Sequence, residues 1–181
     1  MKRLLICLLA ICIGYIANAQ VQTKFWGLEI SQQYASLSQA KRIISDRCEF
    51  SVIEDNCILG QKGTFGGYEW DFANFYFHQE GLEHTLYLVI FQSYHKSREA
   101  AREKYQSLSN ALTKKYGISP NTTKEVNGES SMWDVGDSRY NFSLHMEQSE
   151  SQGKEMLWYV HIGYYDRDLL IARQDQTENE L

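Results

Sequence analysis

Apolar side chains recur at helical spacing in two stretches of this chain and alternate with polar ones through most of the rest. Tyr34, Leu37, Ile44 and Cys48 form the first stripe, which predicts an amphipathic helix over roughly 32–47. Ala101, Tyr105, Leu108, Leu112 and Tyr116 form the second, with Ser97 placed to cap its start and Gly117 and Pro120 marking its end. Period-two alternation, rich in aromatic and β-branched residues, predicts strands over 70–78, 84–93, 139–147 and 155–165. Shorter strands are expected near 50–54, 58–65, 122–126 and 130–135. Gly60, Gly63, Gly66 and Gly67 gather where the first set of strands must turn, and the polar residues 172–181 read as a loose tail.

The alternation also assigns faces. Along 141–146, Phe142, Leu144 and Met146 point one way, and Asn141, Ser143 and His145 the other. Each helix needs an apolar sheet face to pack on, so the first set is core. The expected fold is α+β: two tandem helix-then-strands units building one mainly antiparallel sheet, helices on one face and the other face at least partly open. Internal similarity supports two repeats, about 25–95 and 96–168, inside one domain over 20–171. Asn74-Phe75-Tyr76-Phe77-His78 matches Asn141-Phe142-Ser143-Leu144-His145 at an offset of 67 residues. An offset of 68 lays Phe65 over Trp133, and one of 71 lays Tyr87, Val89 and Phe91 over Trp158, Val160 and Ile162. This order of elements, over most of residues 25–168, resembles the tandem helix-plus-sheet modules of exported bacterial proteins such as β-lactamase inhibitory proteins and small outer-membrane-assembly lipoproteins. The resemblance lies in element order and export context, and it carries no functional residue across.

The N-terminus sets the expected compartment. Lys2 and Arg3 precede an apolar run from Leu4 to Ile16, and Ala17-Asn18-Ala19 supplies the small residues that a signal peptidase reads. The run is shorter than the roughly 20 residues of a bilayer-spanning helix. Residues 1–19 therefore read as a signal peptide cleaved near Ala19, giving a periplasmic or extracellular chain with no membrane span after cleavage. Cys7 and Cys12 each follow Ile, where a lipobox would carry Gly, Ala or Ser. Cleavage removes two cations and moves the formal net charge from -5 to -7, with no Lys/Arg cluster left behind. Such a chain is a poor match for nucleic acid. Cys48 and Cys57 remain, and an even pair in an exported chain is expected to form a disulfide.

Candidate chemistry narrows to the open face. Alternation places Asn74, Tyr76 and His78 there from one unit and Asn141, Ser143 and His145 from the other. Neighbouring strands add Leu86, Leu88 and Ile90, together with Leu157, Tyr159 and His161. Tyr76, His78, His145, Tyr159 and His161 are the expected ligand-binding residues, because rings offer contact area at low entropy cost while imidazoles add hydrogen bonds. Phe25-Trp26 is a candidate to cover this face instead. His145 and His161 are expected as cross-strand neighbours, but the five histidines show no metal-site spacing. There is no G-x-S-x-G elbow and no phosphate-binding glycine motif, so no catalytic residue, metal or cofactor is assigned. Carboxylate pairs such as Glu69 with Asp71, or Asp134 with Asp137, have the chemistry that glycoside hydrolysis uses, but acidic residues flanking turns of a net-negative chain read as solvated. The reading is a non-enzymatic exported protein holding a protein or glycan partner on its open sheet face. A small exported hydrolase and an envelope assembly factor are the alternatives.

Overall fold

The computed structural model describes residues 20–135, 138–150 and 156–179. The expected leader, residues 1–19, lies outside the described residues, as does Asp137. The chain is α+β. A two-residue turn at Trp26-Gly27, with φ of 51° and 95°, joins β1 (Lys24–Phe25) to β2 (Leu28–Glu29). β3 (Gln33–Tyr34) precedes α1 (Leu37–Ile44), whose first turn is capped by the Ser36 side chain accepting from the Gln39 N–H. A 3-10 turn over Ser45–Arg47 leads into β4 (Cys48–Glu54), β5 (Cys57–Phe65), β6 (Tyr68–Glu80) and β7 (Glu83–His95). The second unit repeats this order with α2 (Arg98–Tyr116), β8 (Asn121–Glu125), β9 (Gly128–Met132), β10 (Tyr140–Glu150) and β11 (Met156–Asp166). Ser97 caps α2, and left-handed Gly117 ends it by donating to the Thr113 carbonyl at 2.8 Å.

β1 and β2 pair only with each other, and the remaining strands form one antiparallel sheet ordered β4-β5-β6-β7-β11-β10-β9-β8, with β3 pairing the free end of β7. The two units therefore meet at β7 and β11, where Phe91 faces Ile162, Ser93 faces Val160 and Val89 faces Tyr164. Adding 71 to each β7 number returns the same ladder: 91 becomes 162, 93 becomes 164 and 89 becomes 160. That relation extends outward, taking Cys57↔Tyr76 to Gly128↔Glu147 and Glu54↔Cys57 to Glu125↔Gly128. It also takes the Phe77 N–H to Asn56 carbonyl bond (2.8 Å) to the Gln148 N–H to Asn127 carbonyl bond (2.9 Å). One offset of 71 thus replaces the mixture of 67, 68 and 71 read from the sequence. Asn74 corresponds to His145 and not to Asn141, so the pentapeptide match is four residues out of structural register. A shift by an even number keeps every side chain on its face, and alternation alone does not detect it.

Both helix stripes and the N-terminal hairpin bury against one face of the sheet. Phe25, Phe75, Phe77, Phe91, Trp133 and Phe142 are fully buried there, each contributing about 2–3 kcal/mol by removal from water. Trp26 packs 5.7 Å from Phe75 and 5.5 Å from Phe91, so Phe25-Trp26 fills the core and does not cover the opposite face. Gly60 and Gly63 lie inside β5 under the Trp26 indole, where a Cβ at Gly63 would come within 2.4 Å of the ring. Only Gly66 and Gly67 form the turn.

Two further expectations are corrected. Residues 172–179 are not a loose tail: α3 (Arg167–Asn179) begins as the Asp166 carboxylate accepts the N–H groups of Asp168 and Leu169 at 3.1 and 3.2 Å. Cys48 and Cys57 are not bonded to each other. Cys57 stands opposite Glu54 at one end of the β4–β5 hairpin and Cys48 stands opposite Gly63 at the other. The strand length between them is about 20 Å, whereas a disulfide needs Cα atoms within about 7 Å.

Candidate functional site

The sheet face away from α1 and α2 is crossed by an unbroken row of paired residues. Phe72 on β6 faces Gln92 on β7, which faces His161 on β11, which faces His145 on β10, which faces Ser130 on β9. Directly paired residues share a face, so this row lies across the centre of the sheet. One step along the strands, Tyr94 faces Tyr159, and Tyr159 faces Glu147. The rings touch. Tyr94 meets Tyr159 edge-on with centroids 4.8 Å apart and lies 5.2 Å from Phe72, while His145 and His161 stack at 4.7 Å. Tyr94 is 37% exposed at the rim of this strip, and Tyr159 is almost buried within it.

The two imidazoles are held as neutral rings. Burial, followed by the neighbouring His145, pushes the His161 pKa down to about 4. His145 is also lowered by burial, partly offset by the carboxylates of Glu147 and Glu125. His145 Nε2 is 2.8 Å from Ser143 Oγ, and His161 Nδ1 lies 3.9 Å from Glu147. At neutral pH the strip therefore offers ring surface, imidazole donors and acceptors, and one amide, with little charge of its own. Among the described residues, no three His, Cys, Asp or Glu side chains converge to hold a metal ion.

Of the five residues singled out by sequence, the structure brings together His145, His161 and Tyr159. Tyr76 lies elsewhere on the same face, paired with Cys57 and Leu88, four positions along β7 from the strip and about 13 Å away. It belongs to a separate cluster with Tyr87, whose hydroxyl accepts from Arg173 of α3 at 2.7 Å. Burial pushes the Cys57 thiol of that cluster up to about 11, which leaves it protonated. His78 pairs with Thr85 at the far end of the sheet, about 23 Å along β7 from the histidine pair. A register shift between Tyr76 and Phe77 separates these ends. Across it Leu86 pairs with Phe77 and is fully buried in the core, so it leaves the face on which alternation had placed it.

Phe72, Gln92 and Tyr94 belong to the strip and were not selected from sequence. The signal was present: Phe72 continues the parity of Asn74 and Tyr76, and Tyr94 that of Leu88 and Ile90. Tyr94 falls just past the expected end of its strand at 93, since β7 runs to His95, whereas Phe72 lies inside the expected strand 70–78. Compared with protein-family models, with curated proteins and with solved structures, the chain matches none.

Proposed function

We propose that this chain is an exported binding protein that holds a macromolecular partner, protein or glycan, on the open face of its sheet. The observation that supports the reading is the contiguous strip from Phe72 through Tyr94 and Tyr159 to His161 and His145. Rings locked edge-to-face on paired strands present contact area whose ordering cost was met on folding, the property that makes Tyr an effective anchor at interfaces. Neutral imidazoles and Gln92 add hydrogen bonds without the desolvation penalty of a charge. His145 is held in place by Ser143 and by stacking on His161, so its ring edge is presented in a fixed orientation. No helix among the described residues is long and apolar enough to cross a membrane.

The test replaces Tyr94, Tyr159 and His161 with Ala together and compares capture of a partner from the native cell envelope. Loss of capture with the fold intact supports the face, and equal capture by both proteins rejects it. N-terminal sequencing of the chain recovered from its host tests export independently. A start at Gln20 is expected, and a retained Met1 in the mature protein contradicts it.

A further inference from the structure

The helix side of the sheet carries a second opening. A cleft of about 740 Å³ lies between the 3-10 turn that follows α1, Lys104 of α2, and the neighbouring ends of β4, β5, β6 and β7. Its existence follows from a break in the internal symmetry. The 71-residue relation places Tyr164 in the second unit where Ser93 stands in the first. Around Tyr164 the space is filled by the protein itself: Phe25 packs 4.8 Å from its ring, and the Ser31 hydroxyl bonds Asp166 two residues on. In the first unit small Ser93 replaces the ring, and the N-terminal hairpin reaches the cleft only at its edge, where the Trp26 indole lies over Gly63 and donates to the Thr64 carbonyl. One of two related sites is plugged by the chain's own N-terminal segment, and the other is open.

The walls of the open site fix what it can take. Asp46, Glu49, Glu69 and Asp71 supply carboxylates, and Arg47, Lys62 and Lys104 supply cations. Both charge signs are spread around one space, and the Lys62–Glu49 pair at 3.2 Å cancels part of each. A polyanion meets carboxylates there, and a polycation meets ammonium groups. An apolar ligand would strip water from charges without replacing it. Lys104 is held against the wall by the Trp70 ring at 4.3 Å and by donating to the Glu69 carbonyl at 2.5 Å. His95 sits 3.1 Å from the Ser93 hydroxyl, leaving its other ring nitrogen for a further hydrogen bond. Trp70 is covered by Lys104, so the ring surface offered to a ligand is that of Tyr94 at the rim.

A hydroxyl both donates to carboxylates and accepts from ammonium and guanidinium groups, so a chain of hydroxyls on a neutral frame satisfies this wall in any order. We propose that the cleft between the two helical units binds a neutral oligosaccharide. This site shares Tyr94 with the open-face strip and no other strip residue, so Asp71 and Lys104, which lie outside the strip, test it apart from that reading.

The test is calorimetric titration of the full chain with neutral chito- and malto-oligosaccharides, and with uronate-containing and phosphorylated oligosaccharides, at low and high salt. A neutral oligosaccharide is expected to bind with an affinity that changes less than about twofold with salt, because no ligand charge is screened. Asp71→Asn and Lys104→Met are each expected to weaken it about tenfold or more, the loss of a hydrogen bond to a charged group. Glu103→Gln, exposed on α2 and outside the cleft lining, is expected to bind as wild type. If Asp71→Asn does not fold, the exposed Glu49→Gln takes its place beside Lys104→Met. The proposal is overturned if no neutral oligosaccharide binds at about 10 mM, a concentration that detects even weak sites. It is equally overturned if anionic sugars bind more tightly with strong salt dependence, or if the cleft variants bind like wild type.

Discussion

His161 carries the clearest consequence at the scale of single residues. In the unfolded chain an imidazole takes up its proton near pH 6.5, at about the usual value. In the folded protein His161 does so only at about 4, because burial and then His145 oppose its charge. Between these values the unfolded state holds more protons, so stability falls as pH drops through that window and levels off below it. The loss at full protonation is of the order of 3 kcal/mol. Urea unfolding at pH 7 and pH 4 is expected to show this decline, and His161→Gln to flatten it. An unchanged slope would mean that the ring is not held as described. That the two histidines share one face of adjacent strands was legible in the sequence, because residue parity survives any error in strand ends, and the register then sets them directly opposite. The state of the cysteines was not. Nine positions separate Cys48 from Cys57, but the direction of the intervening strands decides whether they meet. An antiparallel hairpin with its turn beside Cys57 holds them apart.

The elements follow from local rules where the rules are strong and from packing where they are weak. α2 begins and ends where Ser97 and Gly117 predict, and α1 starts later than its stripe suggests because Ser36 caps it and Tyr34 joins the sheet. Glycines inside β5 look like turn residues in sequence, since nothing in composition announces that an indole will lie on them. Gly63→Ala is therefore expected to cost about 1–3 kcal/mol, the usual penalty of overpacking, because its Cβ also comes within 2.8 Å of the Arg47 carbonyl. Gly66→Ala meets open space and brings only the strain of a left-handed φ of 64°. Thermal melts of the two variants separate these causes, and a Gly63→Ala protein as stable as wild type would remove Trp26 from its assigned place. α3 was hidden by its polar composition. Its start depends on Asp166, a tertiary partner that helical periodicity does not contain.

Asp166 also ties the whole molecule together. Its side chain is fully buried, accepts from Arg139 at 2.7 Å and from the Ser31 hydroxyl, and starts α3. Burial raises its pKa, but the hydrogen bonds from Arg139 and Ser31 outweigh this and hold the carboxyl below its ordinary value. Asp166→Ala is expected to lower stability by about 3 kcal/mol, and to do so in one cooperative transition, since the same residue joins the N-terminal segment to the second unit. Separate transitions for the two halves in calorimetry would contradict that coupling. Two units and their shared face were readable from alternation, which is why the α+β sheet is as expected. The 71-residue register was readable for β7 and β11 but not for β6 and β10, because a strand pattern of period two looks the same after a shift of four.

The central claim is that the Tyr94–Tyr159–His161 strip is the working surface, and site-specific photocrosslinking tests it most directly. A photoreactive side chain placed at position 94, on the exposed rim, is compared in the native cell envelope with one placed at position 103, on the solvent side of α2. A discrete crosslinked partner from position 94 alone, lost when Tyr159 and His161 are replaced by Ala, is the predicted result. Equal crosslinking from both positions, or a position-94 adduct that survives those replacements, would contradict the account.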